Sequence, residues 1–347
     1  MQYSTFAAID IGSYDVILEI FEISKKQGIR SVDKICHRME LGKDTYTLGK
    51  IRPEMEEELC RVLADFVRIM EGYRVDDYRA AASSAISEAS NSLYVLGKIH
   101  QLTGLSVTVL SNSEQRFLSY KALAAMEDNF NKIIEKGTAI LDLDGGSFQI
   151  SLFDKDALVT TQNIRMGSLR IRERLAGIQS ETEHYEEMVE ELIWNEVSSF
   201  KKMYLKDRKI ENIMLIGDVF TDSVYQNIEE KTTKIISREN FNTWYEKIIR
   251  QSPMELAVKL GIPLENASLM YPSAVIYKCL IDMMGAEHIW IPGVHMTRGI
   301  AYEYAEQMKL LKGGHNFEND ILMAAKNIGK RYAVNRPHVQ NLEMTAL

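Results

Sequence analysis

The sequence predicts an α/β protein of two similar domains facing each other across a cleft, followed by a short helical segment. Strand-like and helix-like patterns alternate along most of the 347 residues, as in layered α/β architectures. One element order, three strands followed by alternating helices and strands, occurs twice. The two hairpin-like segments that open these halves also share a spacing. Asp10 and Phe21 stand 11 residues apart, as do Asp142 and Phe153, with apolar strand residues between them. An internal repeat of this kind means two copies of one structural unit.

In the first half, residues 5–11 (TFAAIDI) read as a buried strand and 15–23 (DVILEIFEI) as its antiparallel partner, turning at Gly12, Ser13 and Tyr14. A third strand falls within 31–41. Met55, Leu59, Val62, Leu63, Phe66 and Met70 give helical spacing over 54–71. A strand at 78–82, a helix near 91–101, a strand at 106–110 and a helix from Ser113 to about 127 complete a first domain, 1–127. The second domain, 128–312, holds strands at 137–143, 147–153 and 156–164, helix 181–206, a strand at 211–216 and helices to about 311. Paired glycines mark 312–316 as a linker. The remainder, 313–347, opens a helical region with helices at about 317–333 and from Pro337.

With 46% hydrophobic and 26% charged residues, the chain can build a sizeable core. A net charge of −8 leaves no broad basic field, which excludes a general nucleic-acid binder. A small phosphate ligand stays compatible, since backbone N–H groups bind anions inside acidic proteins. Cys36, Cys60 and Cys279 are far apart and form no CxxC pair, as expected of a reduced, cytoplasmic protein. No signal peptide and no membrane span is legible. The seven histidines lack metal-ligand spacing, and no serine or cysteine triad can be placed.

Three segments carry chemistry. In LDLDGGSFQISLF, 141–153, a strand delivers Asp142 to its end and Gly145, Gly146 and Ser147 form the turn. Glycines let N–H groups approach a phosphate, Ser147 adds a hydroxyl, and Asp142 can hold Mg²⁺ directly or through water. An ordinary Asp-Gly-Gly hairpin would have the same sequence. IDIGSYD, 9–15, repeats the device with Asp10, Gly12 and Ser13. Ser113 serves as N-cap to the helix beyond it, which puts Glu114 in the first turn. There a carboxylate either steadies the helix dipole or acts as the base that orients attacking water.

Together these segments resemble the exopolyphosphatase and guanosine-pentaphosphate phosphohydrolase (Ppx/GppA) family, within the acetate-and-sugar-kinase/actin superfamily. The family patterns D-x-G-S-N-S, A-T-S-A-x-R-x-A-x-N, G-x-E-E-A-R and D-x-G-G-G-S-T-E appear as Asp10-Ile-Gly-Ser-Tyr-Asp, AASSAISEASN at 81–91, SNSEQR at 111–116 and Asp142-Leu-Asp-Gly-Gly-Ser-Phe-Gln. NIRMGSLRIRERL at 163–175 and PGVHMTRGIAYEYA at 292–305 resemble two later segments. The resemblance implies two ribonuclease-H-like, actin-type domains around a cleft. It implies hydrolysis of terminal phosphoanhydride bonds of polyphosphate or guanosine pentaphosphate. Asp142 and Asp10 would hold Mg²⁺, Gly12, Ser13, Gly145, Gly146 and Ser147 would bind phosphate, and Glu114 would position water.

The departures from the pattern fall at the same site. The Asn after Gly-Ser is Tyr14 and the next Ser is Asp15, the phosphate-path Arg falls on Ser87, and the Glu ending the second loop is Gln149. Phe148 replaces a Thr, Asp144 replaces a Gly, and LIGDVFTDS at 215–223 keeps only Gly217 of a glycine-rich loop. Losing the Arg removes a bidentate clamp, and Gln149 lacks the charge to bind metal. The alternative is therefore a catalytically weakened member that binds a phosphorylated ligand or a protein as a sensor. A small-molecule kinase of the superfamily is less in keeping, because no adenosine-binding loop is evident. Helical spacing of Val339, Leu342, Ala346 and Leu347 predicts a stripe that packs on a second copy, as a homodimer, or on residues a truncated chain has lost.

Overall fold

The computed structural model describes residues 3–126, 130–176, 185–217, 219–227, 235–311, 315 and 317–346. Most of the predicted linker at 312–316 and the start of predicted helix 181–206 lie outside the described residues.

The first half builds one mixed sheet from β1 (Ser4–Ile11), β2 (Asp15–Ser24), β3 (Gly28–Arg38), β4 (Asp77–Ala82) and β5 (Val107–Val109), ordered β3-β2-β1-β4-β5. The three opening strands are antiparallel, and β4 and β5 continue parallel to β1. The second half repeats this with β6 (Thr138–Leu143), β7 (Phe148–Asp154), β8 (Ala157–Ile164), β9 (Asn212–Ile216), β10 (Ile235–Ser237) and β11 (His288–Trp290), ordered β10-β11-β9-β6-β7-β8. Again β6 and β7 are antiparallel while β9 joins β6 in parallel.

The repeat extends to register. Asp10 pairs with Ile17 and Asp142 with Gln149, each seven residues onward, and on the parallel side they lie beside Ala81 and Ile216. Both aspartates therefore sit at the carboxyl ends of the central strands, where ligands bind in parallel α/β sheets.

β1 is a continuous apolar run because both its faces are covered. Ala7, Ile9 and Ile11 face Leu59, Leu63 and Phe66 of helix Pro53–Gly72 and Val95 and Ile99 of helix Ser92–Thr103. Phe6 and Ala8 face Ile300, Ala301 and Ala305 of helix Met296–Gln307, with Phe6 stacked on Tyr304 at 4.1 Å. The chain thus returns to the first sheet near its end. In the second half, helix Leu264–Met284 is buried along its length, carrying Pro272 within it.

Helices Leu41–Leu48 and Ser168–Leu175 are among those that the sequence pattern does not predict. Leu41–Leu48 contains Gly42, Asp44, Thr45 and Thr47, all weak helix formers, and is held by tertiary bonds instead. Its Thr45 hydroxyl donates to the Ala85 carbonyl at 2.7 Å, and Asp44 accepts from the Arg52 N–H at 3.0 Å. Ser168–Leu175, which carries Arg170, Arg172 and Arg174, is a helix lying between the two halves. The strands β10 and β11, three residues each, are too short for a periodicity to show.

Near the C-terminus, helix Phe317–Arg331 packs on β8, where Asp320 accepts from the Leu158 N–H at 3.2 Å and Asn327 donates to the Val159 carbonyl at 3.1 Å. Helix Arg336–Ala346 leaves Val339, Leu342 and Met344 exposed.

Candidate active site

A cavity of about 220 Å³ lies between the two sheets at the carboxyl ends of β1 and β6. The first hairpin contributes Asp10, Gly12, Tyr14 and Asp15, and the second contributes Asp142 and Asp144. Alternation along β3 puts Lys34, Cys36 and Arg38 on the same wall. Helix Asn112–Met126 adds Gln115 and Ser119, and the segment after β9 adds Gly217, Asp222 and Ser223. Gly217 holds φ at +100°, and a Cβ there would lie 2.6 Å from Asp142 Oδ1, so only glycine lets this backbone pass the aspartate.

The carboxylates crowd one another. Burial pushes Asp10 well above the usual carboxylate range, Asp15, Asp144 and Asp142 push it further, and Lys34 pulls it partly back. Burial likewise raises Asp142 to about 6, against a hydrogen bond donated by the Ser119 hydroxyl at 2.5 Å. Asp144 rises to about 7 through burial, opposed by the Gly145 N–H and the Gln115 amide and aided by Asp142 and Asp15. Asp15 is raised by burial while Arg38, 3.2 Å away, and His295 favour its ionised form. Such a cluster is costly unless a cation or protons neutralise it.

Asp10 and Asp142 converge on the cavity as expected, but Glu114 does not. It is exposed, and its carboxylate accepts from the Ser111 N–H at 2.8 Å while its own N–H donates to the Ser111 hydroxyl at 3.3 Å. Ser111, not Ser113, is therefore the cap, and this reciprocal pairing holds Glu114 ionised at the helix start. Glu114 lines a separate pocket with Arg79, Lys121 and Glu303. One residue onward the helix has turned about 100°, which brings Gln115 into the cleft instead.

The phosphate loops also need correction. Of Gly12, Ser13, Gly145, Gly146 and Ser147, only Gly12 lines the cavity, and its N–H donates to the Asp15 carbonyl at 2.9 Å. Ser13 is fully buried, its hydroxyl 2.7 Å from Tyr46 Oη. A Cβ on Gly145 would lie 3.0 Å from the Ser13 Cβ, and one on Gly146 would lie 2.1 Å from Tyr46 Oη. The glycines thus serve the close approach of the two hairpins, with Tyr46 between them. Ser147 is buried, and its carbonyl accepts from the Asp144 N–H at 2.9 Å.

Among the substituted positions, Ser87 is exposed on the short turn of helix Ser84–Ser87, outside the cavity. Tyr14 lines the cavity with the Arg38 guanidinium 5.4 Å from its ring centre. Gln149 is buried with Oε1 lacking a hydrogen-bond partner among the described residues. Sequence reasoning missed Lys34 and Arg38. Their period-2 placement on a strand beside the hairpin was the available signal.

Asp10 Oδ1 and Asp144 Oδ2 are buried and unpartnered among the described residues, as oxygens reserved for a hard cation or its water would be. No group of three His, Cys, Asp or Glu side chains forms a preformed metal cage among the described residues. Mg²⁺ needs no such cage, because it keeps waters and takes one or two carboxylates beside the ligand's phosphates. The donors present fit that mode.

Two actin-like α/β units flank an acidic cleft, the architecture of the actin-type superfamily. The chain belongs to the Ppx/GppA phosphatase family, whose pattern it matches over residues 19–308. It is similar to the bifunctional 3-dehydroquinate synthase/phosphatase of Fusobacterium nucleatum, at 21% identity over 82% of this chain and 44% of that protein. It is similar to exopolyphosphatase 1 of Mycobacterium leprae, at 25% identity over 41% of each chain. The chain thus spans less than half the length of these curated relatives. Among solved structures, an exopolyphosphatase from Cytophaga hutchinsonii matches with a TM-score of 0.78 at 16% identity, covering 88% of this chain and 98% of that one. The Aquifex aeolicus Ppx/GppA family member matches with a TM-score of 0.71 at 18% identity, covering 88% and 99%.

Proposed function

We propose that the cleft takes the terminal phosphate of an anhydride-linked phosphate chain, inorganic polyphosphate or guanosine pentaphosphate, and cleaves it by Mg²⁺-assisted attack of water. The observation that carries this reading is the convergence of Asp10 and Asp142, equivalent residues of the two halves, on one cavity. The names of the Mycobacterium and Cytophaga relatives support polyphosphate as ligand. When bound, Mg²⁺ would neutralise charge on the phosphate oxygens. Asp10 and Asp142 would hold it, with Ser119 fixing the Asp142 carboxylate. Lys34 and Arg38 supply positive charge along the wall for the rest of the phosphate chain. The unpaired thiols of Cys36, Cys60 and Cys279 support a reducing, cytoplasmic setting, and no helix among the described residues is long and apolar enough to cross a membrane.

A second reading, a weakened member that binds without efficient turnover, is favoured by the placement of Glu114 outside the cleft and of Tyr46 between the hairpins. Orthophosphate release from polyphosphate and from guanosine pentaphosphate, with Mg²⁺ and with a chelator, separates the two. Mg²⁺-dependent release supports the hydrolase. Mg²⁺-dependent binding without release supports the sensor.

A further inference from the structure

If Glu114 does not reach the cleft, another acceptor must orient the water. Five aspartates line the cavity, and three are engaged. Asp15 pairs with Arg38 at 3.2 Å, Asp142 accepts from Ser119 at 2.5 Å, and Asp222 pairs with His295 at 3.4 Å. Asp10 and Asp144 each keep one buried oxygen with no partner among the described residues. Asp10 is the counterpart of Asp142 in the duplicated register and belongs with it. Asp144 is left over.

Its geometry suits an acceptor. The Gly145 N–H fixes Asp144 Oδ1 at 2.6 Å, which sets the direction of the free Oδ2. The Gln115 amide, on the helix that carries Glu114, lies beside it. The resembling family has a glycine where Asp144 stands, so this carboxylate is an addition peculiar to this chain's second hairpin. A turn residue alone does not explain Asp144, because glycine or asparagine would close the hairpin without burying a fourth negative charge.

We infer that Asp144, steadied by the Gln115 amide, accepts the hydrogen bond that orients the attacking water, the role expected of Glu114. This rests on the hydrolytic reading above. The water oxygen bonds to the terminal phosphorus and the bond to the bridging oxygen breaks. The electron pair stays with the shortened chain, and both protons of the water leave with orthophosphate. Asp144 only aligns the water, as suffices for a loose phosphoryl-transfer transition state.

The test compares wild type, Asp144→Asn and the double variant Asp144→Gly with Gln115→Glu on polyphosphate with Mg²⁺. Orthophosphate release gives kcat and KM, and calorimetry gives affinity for the same ligand. Asp144→Asn is expected to lose about 100-fold in kcat with KM and affinity within about threefold, and the double variant to recover at least about tenfold of that loss. A merely structural role would move affinity and would not be rescued from the helix. Turnover of Asp144→Asn equal to wild type overturns this inference and leaves the hydrolytic reading intact. No release by wild type overturns both.

Discussion

The Tyr46 hydroxyl lies 2.7 Å from that of Ser13 and 2.8 Å from that of Ser84, between the two glycine-bearing hairpins. The Arg170 guanidinium covers the ring at 3.8 Å, and Arg170 also donates to the Gly146 carbonyl at 2.8 Å. One aromatic ring from the first half is therefore clamped by the second at the back of the cleft. Tyr46→Phe removes the shared partner of two buried serines, and stability should fall by about 1–2 kcal/mol in urea denaturation. An unchanged midpoint would show that the hydroxyl knot contributes nothing.

A second tie between the halves is ionic. Arg172 reaches Glu40 with two parallel hydrogen bonds of 2.7 and 2.8 Å and donates to Ser268 at 2.8 Å. Both partners are mostly buried, so Arg172→Ala leaves Glu40 uncompensated. A loss of about 2–4 kcal/mol is expected, whereas Arg172→Lys should lose less because one bond can be kept. Thermal unfolding of the two variants checks the order.

The cleft carboxylates set a pH dependence. Asp142 titrates near 6 and Asp144 near 7 in the folded chain, against about 4 when unfolded. Between these values the folded state binds more protons than the unfolded, so stability falls as pH rises from about 4 to about 7. Urea unfolding without divalent cations should show this decline, and Mg²⁺ should restore stability at pH 7.5. Asp142→Asn should flatten part of the slope. A metal-free stability that rises through this window would contradict the electrostatics of the site.

Cys36 offers a reporter on the cavity wall between Lys34 and Arg38. Burial and the Asp15 carboxylate push its thiol up to about 11, so alkylation is slow but measurable at alkaline pH. Polyphosphate with Mg²⁺ should slow Cys36 labelling by about tenfold or more, read by peptide mass spectrometry. Labelling unaffected by ligand would place the ligand elsewhere.

Much of this was legible in the sequence because it depends on periodicity. Strands β1, β2, β6 and β7 carry long apolar runs, and the matched spacing from Asp10 and Asp142 foretold one register for both hairpins. The failures share a cause. Glu114 and Gln115 differ by one residue, and the choice between them depends on where the helix begins. The Ser111–Glu114 pairing settles that, and a propensity cannot weigh it against Ser113. By sequence the glycines of both hairpins are open to phosphate. Tyr46, from a helix without a helical pattern, occupies the space beside Gly146, and only tertiary packing reveals it.

The most direct measurement is orthophosphate release from long-chain polyphosphate in the presence of Mg²⁺ by wild type and by Asp142→Asn. The account predicts release by wild type, abolished by chelation and reduced about 100-fold or more in the variant, whose fold is retained by circular dichroism. Release at the wild-type rate from Asp142→Asn, or release that persists without divalent cations, would contradict it.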